Sequence, residues 1–588
     1  MDNAGPDRKH DVEPWTDVRD GMTVDWQVRV PMEDGVILRA DVYRPIEQGR
    51  YPVILSHGVY AKGLPFDGPV YQMQWDKLLV KDPSVLEGST NKYQSWEVVD
   101  PERWVPHGYA VVRVDSRGTG WSPGYLNPRS PQEFEDICAS IEWAGVQEWS
   151  SGKVGVAGIS YYAMVGWAAA ARQPEHLAAL IAWEGFNDQY RDAFYHGGIL
   201  SEFTRRWLPN QIVPIQYGQG ERALVNPNTG QSVAGPETLS EEELEVNRGD
   251  YFGVIKQHPL YDGWHQERAI DLSKVEIPVL SAANWGGQGL HPRGNFNGFV
   301  HAASKDKWLE AHGDTHWTHF YSAYGRDVQK RFFDHFLKGI DNGWDDTPRV
   351  QLNIRRPGEQ FEWRGENEWP LARTEWTRYH IHSDLNLSLE EEQPPGQLVF
   401  EALGDGLRFT TTPFEEETEF TGPLSARLWV SSSTIDADLF LILQLFDPSG
   451  NEVTFEGSTD PNTPIAIGWL RASHRALDHE RSKPWQPYHP HDLVEPLVPD
   501  EIYQLDVEFV PSCIVVPPGF RLALWVRGKD YEYTGPLDDY GQSFVYATRG
   551  TGGMTHADPD NRPADVFGGS TTVHLGPAHP SYLLLPKI

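Results

Sequence analysis

Apolar positions along the first third of the chain fall in short runs with strand spacing. Residues 26–30, 36–43, 52–56 and 109–114 are apolar or β-branched stretches separated by turn residues. Residues 134–143 then carry their apolar side chains at helical spacing, residues 153–159 return to a β-branched run, and an Ala-rich stretch of helical character follows from Tyr161. Residues 177–183 read as another buried strand. Between 186 and 270 the periodicity turns irregular and rich in aromatics and glutamine. Alternation resumes with a strand at 279–283, a helix at 295–303, a strand at 308–311 and an amphipathic helix at 324–338. Beyond 343 helical periodicity nearly vanishes, and short alternating strands such as 426–430, 439–446, 503–509 and 521–527 are divided by Gly, Pro and Asp turns.

Strands alternating with helices predict a mostly parallel sheet covered by helices on both faces. The expected organisation is an N-terminal extension over 1–24, an α/β domain built from 25–185 and 271–345, a helical cap insert over 186–270, and an all-β jelly-roll sandwich over 346–588. A chain of 588 residues is too long for one core, which agrees with several domains. No apolar run approaches the roughly 18 residues that a membrane helix needs. Residues 1–10 are polar and lack the apolar stretch of a secretion signal, so a cytoplasmic location is expected. The two cysteines, Cys138 and Cys513, have no metal or redox spacing and read as buried thiols. Acidic residues number 84 against 50 basic, giving a net charge of −34 spread along the chain, a field that repels nucleic acid and anionic membranes. No phosphate loop, zinc spacing or dinucleotide fingerprint occurs, so neither a metal nor a cofactor is expected. Asp436 and Asp438 are too weak a signal for calcium. Monomer and homo-oligomer both stay open.

The chemistry gathers around Ser160. Lys153-Val154-Gly155-Val156-Ala157-Gly158-Ile159-Ser160-Tyr161 reads as a strand, a sharp turn and the start of a helix with the serine at the bend. In α/β-hydrolases such a nucleophile elbow exposes the hydroxyl above the sheet and aims the following amide at the developing oxyanion. Gly158 fits because a side chain there would collide with the turn. Tyr162 stands where the usual five-residue pattern has its second glycine.

A serine hydroxyl needs a histidine to take its proton and an acid to orient that histidine. The chain order in this fold is Ser, acid, His. His312-Gly313-Asp314-Thr315-His316 follows the 308–311 strand, where the base should arrive, and His316 is the predicted base with His312 second.

The surroundings of Ser160, the Asp115-Ser116-Arg117-Gly118-Thr119-Gly120 loop and the Arg331-Phe332-Phe333-Asp334-His335-Phe336-Leu337-Lys338-Gly339 segment resemble the family of cocaine esterase and X-Pro dipeptidyl-peptidases. Ser425 to Ser432, Asp436-Ala437-Asp438-Leu439 and Gly468-Trp469-Leu470-Arg471-Ala472-Ser473-His474 resemble its jelly-roll domain. The family elbow is Gly-x-Ser-Tyr-x-Gly, which Tyr161 matches and in which Ala163 replaces the last glycine. The resemblance implies an oxyanion hole made by the Tyr161 amide and the hydroxyl of Tyr60, which follows a strand in Leu55-Ser56-His57-Gly58-Val59-Tyr60. It also implies an acid just after the 279–283 strand. Here that segment is Asn284-Trp285-Gly286-Gly287-Gln288, with glycine in the acid's place. Some α/β-hydrolases supply the acid from the tip of the preceding strand, and Glu184 stands there, with Asp188 in reserve.

The expected function is a serine hydrolase, carboxylesterase- or acylase-like, that cleaves esters or amides of small acyl substrates through an acyl-enzyme. Ser160, His316 and Glu184 form its triad, Tyr60 and Tyr161 its oxyanion hole. Trp183, Phe186 and Trp285 are the expected substrate-binding aromatics, with Tyr190 and Trp207 as further candidates. An X-Pro dipeptidyl-peptidase is the alternative within the class. A dead hydrolase scaffold with a carbohydrate-binding jelly roll is the alternative outside it.

Overall fold

Eleven strands of one twisted sheet carry the chemistry. In chain order they are β1 (Trp15–Arg19), β2 (Met22–Pro31), β3 (Ile37–Pro45), β4 (Tyr51–Gly58), β5 (Ala110–Asp115), β6 (Ser150–Ile159), β7 (Leu177–Trp183), β8 (Val279–Asn284), β9 (Lys307–His312), β10 (Val350–Arg356) and β11 (Gln360–Glu366). The computed structural model describes residues 12–536 and 549–588. Across the sheet the order is β1-β2-β3-β5-β4-β6-β7-β8-β9-β10-β11. Pairing is parallel from β5 through β10 and antiparallel at both margins. The central strands are buried on both faces, as their unbroken apolar runs require.

Helices α1 (Pro131–Gly145), α2 (Tyr161–Arg172), α3 (Pro292–His301) and α4 (Ala323–Lys338) connect these strands. Ser130 caps α1 by accepting from the Glu133 amide, with proline in the first turn, and Ser322 caps α4 by accepting from the Gly325 amide. Gly339 closes α4 in a left-handed conformation.

Two expected boundaries move. Part of the presumed N-terminal extension is strand β1, which pairs in register from Trp15 opposite Trp26 to Arg19 opposite Met22; residues 1–11 lie outside the described residues. At the other end β10 and β11 belong to the eleven-stranded sheet, because Leu309 and Val350 pair in parallel. A short alternating strand has the same periodicity in either domain, so only its pairing partner decides where it belongs.

The insert over 186–270 has short helices, among them Phe203–Trp207, Glu241–Val246 and Tyr251–Gln257, joined by long loops. Among the described residues, the C-terminal part is a sandwich of a nine-stranded and a five-stranded sheet, with Leu428, Val430, Leu441, Leu505, Leu524 and Val573 in its core. A further apolar cluster joins Trp285, Leu309, Val350 and Leu352 on the eleven-stranded sheet to Cys513 and Val515 of the sandwich. That contact fixes the sandwich against strands β9 and β10 of the sheet. Among the described residues, no helix is long and apolar enough to cross a membrane.

Candidate active site

Strand β6 ends at Ile159, Ser160 takes φ 58° and ψ −111°, and α2 begins at once with Tyr161. A non-glycine residue at positive φ is strained, and tertiary contacts must hold it there. The Ser160 amide donates to Trp183 O (3.0 Å) and the Ser160 carbonyl accepts from the Met164 amide (2.9 Å), anchoring both sides of the bend. A Cβ on Gly158 would lie 2.4 Å from Tyr162 Cβ, which is why glycine is needed there. Ala163, the departure from the family's elbow, is accommodated from across the helix: a Cβ on Gly185 would lie 2.4 Å from Ala163 Cβ. The demand for a small residue has passed to the neighbouring strand tip.

That same tip presents Glu184 at φ 44°. Its carboxylate is fully buried and accepts from His316 Nδ1 at 2.6 Å, His312 Nε2 at 3.1 Å, Ser458 Oγ at 2.8 Å and Asn284 Nδ2 at 3.2 Å. Burial alone would raise its pKa, but the two histidines outweigh that and hold the carboxyl well below the usual range. Behind it, His312 Nδ1 lies 2.6 Å from Glu310 Oε2, so His312 bridges two carboxylates, and against the opposing effect of burial its pKa rises to about 9. The arginines nearby in sequence are engaged elsewhere: Arg191 with Asp188 (2.9 Å), and Arg293 with Asp192 (2.9 Å) and Glu508 (3.1 Å). Asp188 thus serves Arg191, away from the imidazoles.

His316 Nε2, the atom a triad base turns to its serine, faces Glu97 Oε1 at 3.3 Å. With a carboxylate at each nitrogen, the ring is driven to a pKa of about 10 even though burial opposes its charge. The hydroxyl of Ser160 lies 3.1 Å from Nε2 of another residue, His291. His291 is stacked between Phe186 (5.7 Å between centroids, 12° between planes) and His316 (5.3 Å, 7°).

Ser160, His291, His316, Glu97 and Tyr60 line one cavity. Tyr60 Oη accepts from Trp207 Nε1 at 3.0 Å, which leaves the phenol's own proton free to donate into the cavity. Burial raises the Tyr60 pKa well above its ordinary value, so it stays a donor. The Tyr161 amide is the first of α2 and has no intrahelical acceptor. The Tyr161 side chain is used elsewhere, donating to Glu133 Oε2 at 2.5 Å. The Asp115 loop is locked as a turn by Lys62 Nζ to Asp115 at 2.7 Å and by Arg117 to both oxygens of Asp136 at 2.8 Å.

The aromatic wall differs from the expected one. Trp183 is buried behind the site against His312 and Phe320, and Trp285 packs on Phe296 and Trp369 while donating to Asn353 O. Both are core residues. Phe186 supports His291 from behind. The aromatics that line the cavity are Tyr60, Trp96, Phe203, Trp207 and Trp317. Alternation marks which strand residues are buried but not which end of a strand opens onto a cavity.

Three polar residues escaped the sequence reading. Ser458 comes from the sandwich, whose loop meets the hydrolase through His316 N to Ser458 O (3.0 Å) and Ser458 N to Gly286 O (3.2 Å). A Cβ on Gly286 would lie 2.3 Å from Gly457 Cα, so glycine at this position is what admits the loop. Nothing local to Ser458 or Glu97 signals a site. His291 carries a faint signal: it lies at the end of a Gly-rich loop after a strand, between Ser160 and His316 in chain order.

A serine on a strained strand-to-helix elbow, at the C-terminal edge of a mainly parallel sheet and beside a carboxylate-bound imidazole, defines an α/β-hydrolase of the serine type. A profile for X-Pro dipeptidyl-peptidase (S15 family) matches residues 34–321, and one for the X-Pro dipeptidyl-peptidase C-terminal non-catalytic domain matches residues 342–584. The crystal structure of a CocE/NonD family hydrolase from Staphylococcus aureus superposes with a TM-score of 0.82 at 31% identity, over 96% of this chain and 94% of that one. This chain belongs to that family, and it is a serine hydrolase. Cocaine esterase from Rhodococcus sp. is 24% identical over 95% of this chain and 98% of its own length. A putative Xaa-Pro dipeptidyl-peptidase from Streptomyces avermitilis is 23% identical over 74% of this chain and 69% of its own length.

Proposed function

We propose that Ser160 is the nucleophile of an esterase or acylase that acts on small acyl substrates, with His316 as its base and Glu184 as the acid that orients it. The observation that carries this reading is the 2.6 Å contact between Glu184 Oε2 and His316 Nδ1 within the cavity that holds Ser160. Ser160 Oγ attacks the carbonyl carbon as its proton passes to Nε2 of the neutral His316 ring, the form that the raised pKa makes the minor one near pH 7, and the carbonyl electrons move onto oxygen. Tyr60 Oη–H and the Tyr161 N–H receive that oxyanion, each worth about 2 to 4 kcal/mol in the transition state. Collapse expels the alkoxide or amine, which takes the proton from His316. Water, deprotonated by the same ring, then releases the acyl group from Ser160.

The substrate class is a small ester or amide: the cavity combines an aromatic wall with polar side chains such as Gln211, Gln288 and Asp460, and the chain's negative field disfavours nucleic acid and anionic membrane. The two free cysteines support a reducing, cytoplasmic setting. A fluorophosphonate probe should label the wild type and not Ser160→Ala; equal labelling of both defeats the assignment. X-Pro dipeptidyl-peptidase activity is the second reading, favoured by the matching profile and by the buried Glu97 carboxylate, which could meet a substrate amine. Hydrolysis of an X-Pro anilide faster than of short acyl esters would select it.

A further inference from the structure

The loop between β8 and α3 is where the resemblance places the acid, and it delivers an imidazole to the nucleophile instead. We propose that His291 is a fourth catalytic residue, donating from Nε2 to Ser160 Oγ so that the hydroxyl proton points at His316, and stacking on the His316 ring as that ring becomes charged. This assignment rests on the reading of Ser160 and His316 given above.

Three observations carry it. His291 Nε2 is 3.1 Å from Ser160 Oγ, in direct contact with the reacting atom. Its Nδ1 is buried with no hydrogen-bond partner among the described residues. An orphaned buried N–H is the rarer arrangement in proteins, so the proton belongs on Nε2, where it has an acceptor. Finally, the ring is nearly parallel to His316, at 7° and 5.3 Å, and Phe186 closes the opposite face. This sandwich fixes the ring plane and leaves Nε2 directed at the serine.

Burial, reinforced by the neighbouring His316, holds the His291 pKa well below the ordinary value and keeps the ring neutral. A neutral ring can donate to the serine oxygen without competing for its proton. When that proton moves to His316, the π face of His291 lies against the new imidazolium, a cation–π contact within about 6 Å. No other redistribution of protons is required: one leaves Oγ, one arrives at His316 Nε2, and the Nε2 proton of His291 stays in place.

Two variants separate the hydrogen bond from the stack. His291→Phe keeps a ring between Phe186 and His316 but has no donor; His291→Gln keeps a donor but has no ring. The steady-state kinetics of a short p-nitrophenyl ester and the rate of fluorophosphonate labelling at Ser160 are compared with wild type, each variant being checked for an unchanged melting temperature. The expected result is a 10- to 100-fold loss in kcat and in labelling rate for His291→Phe, a smaller loss for His291→Gln, and KM within threefold in both. Wild-type rates in two folded variants overturn the assignment. So does a loss in His291→Phe as deep as in His316→Ala, which would make His291 the base. Failure of the wild type to label at Ser160 defeats the underlying reading of the site, and is thus distinct from failure of the His291 assignment alone.

Discussion

Replacing Glu184 by glutamine removes one negative charge from the base of the site without changing its volume. The carboxylate accepts from four donors, two of them imidazole nitrogens. An amide offers one oxygen and one NH2 group, and whichever way it turns, a donor faces a donor. If the NH2 faces His316, the ring must present a bare Nδ1, and the proton then sits on Nε2, the wrong tautomer for a base. The electrostatic loss is large as well. Against burial, Glu184 and Glu97 raise the His316 pKa to about 10; measured from an ordinary 6.5 this is about 5 kcal/mol of preference for the protonated ring. With Glu184 carrying the greater part, about 3 to 5 kcal/mol of support for the charged base is lost, or about 10²- to 10⁴-fold in kcat. The mismatched amide also costs about 1 to 3 kcal/mol of stability, which a thermal melt followed by circular dichroism would read. The assay is kcat on a short acyl ester at saturating substrate, with the melt as the control for folding. A folded Glu184→Gln with kcat within threefold of wild type would refute the whole argument from Glu184 as the orienting acid.

Two further tests address the cavity. Glu97→Gln removes the carboxylate facing His316 Nε2, which lowers the His316 pKa and leaves the ring neutral down to a lower pH. The acidic limb of the kcat/KM profile should therefore move to lower pH, and an unmoved or raised midpoint would show that Glu97 does not act on the base. Tyr60→Phe removes the phenol donor while keeping its packing against Trp96 and Trp207; kcat should fall by about 30- to 1000-fold, equivalent to 2 to 4 kcal/mol, with KM little changed, and an unchanged kcat would exclude Tyr60 from the oxyanion hole.

Much of this site was legible because it depends on chain-local rules. Ser160 sits where a β-branched run meets a helix former across a glycine, and His316 follows a buried strand at the position the fold assigns to its base. Glu184 could be inferred from its place at a strand tip once Gly286 and Gly287 were seen to exclude a carboxylate. The aromatic wall could not be read. Trp183 and Trp285 flank the catalytic strands in sequence, yet both side chains point into cores, whereas Phe203 and Trp207 reach the cavity from an insert without clear periodicity. The division at residue 346 failed for a related reason, since β10 and β11 alternate as any sandwich strand does and differ only in what they pair with.

The linear order of residues by itself determined the class of chemistry: strand spacing, a glycine-bounded turn and a helix former place a serine on an elbow, because φ/ψ sterics and side-chain periodicity act over a few residues. Tertiary structure alone decided the company that serine keeps. Glu97, His291 and Ser458 come from a loop before β5, a loop after β8 and a different domain, and they meet only because the sheet's C-terminal edge, the insert and the sandwich close around one point. Buried charge makes that meeting obligatory: Glu184 can stay ionised in the interior only where two imidazoles, a hydroxyl and an amide converge on it, and no local pattern in a sequence records such a convergence.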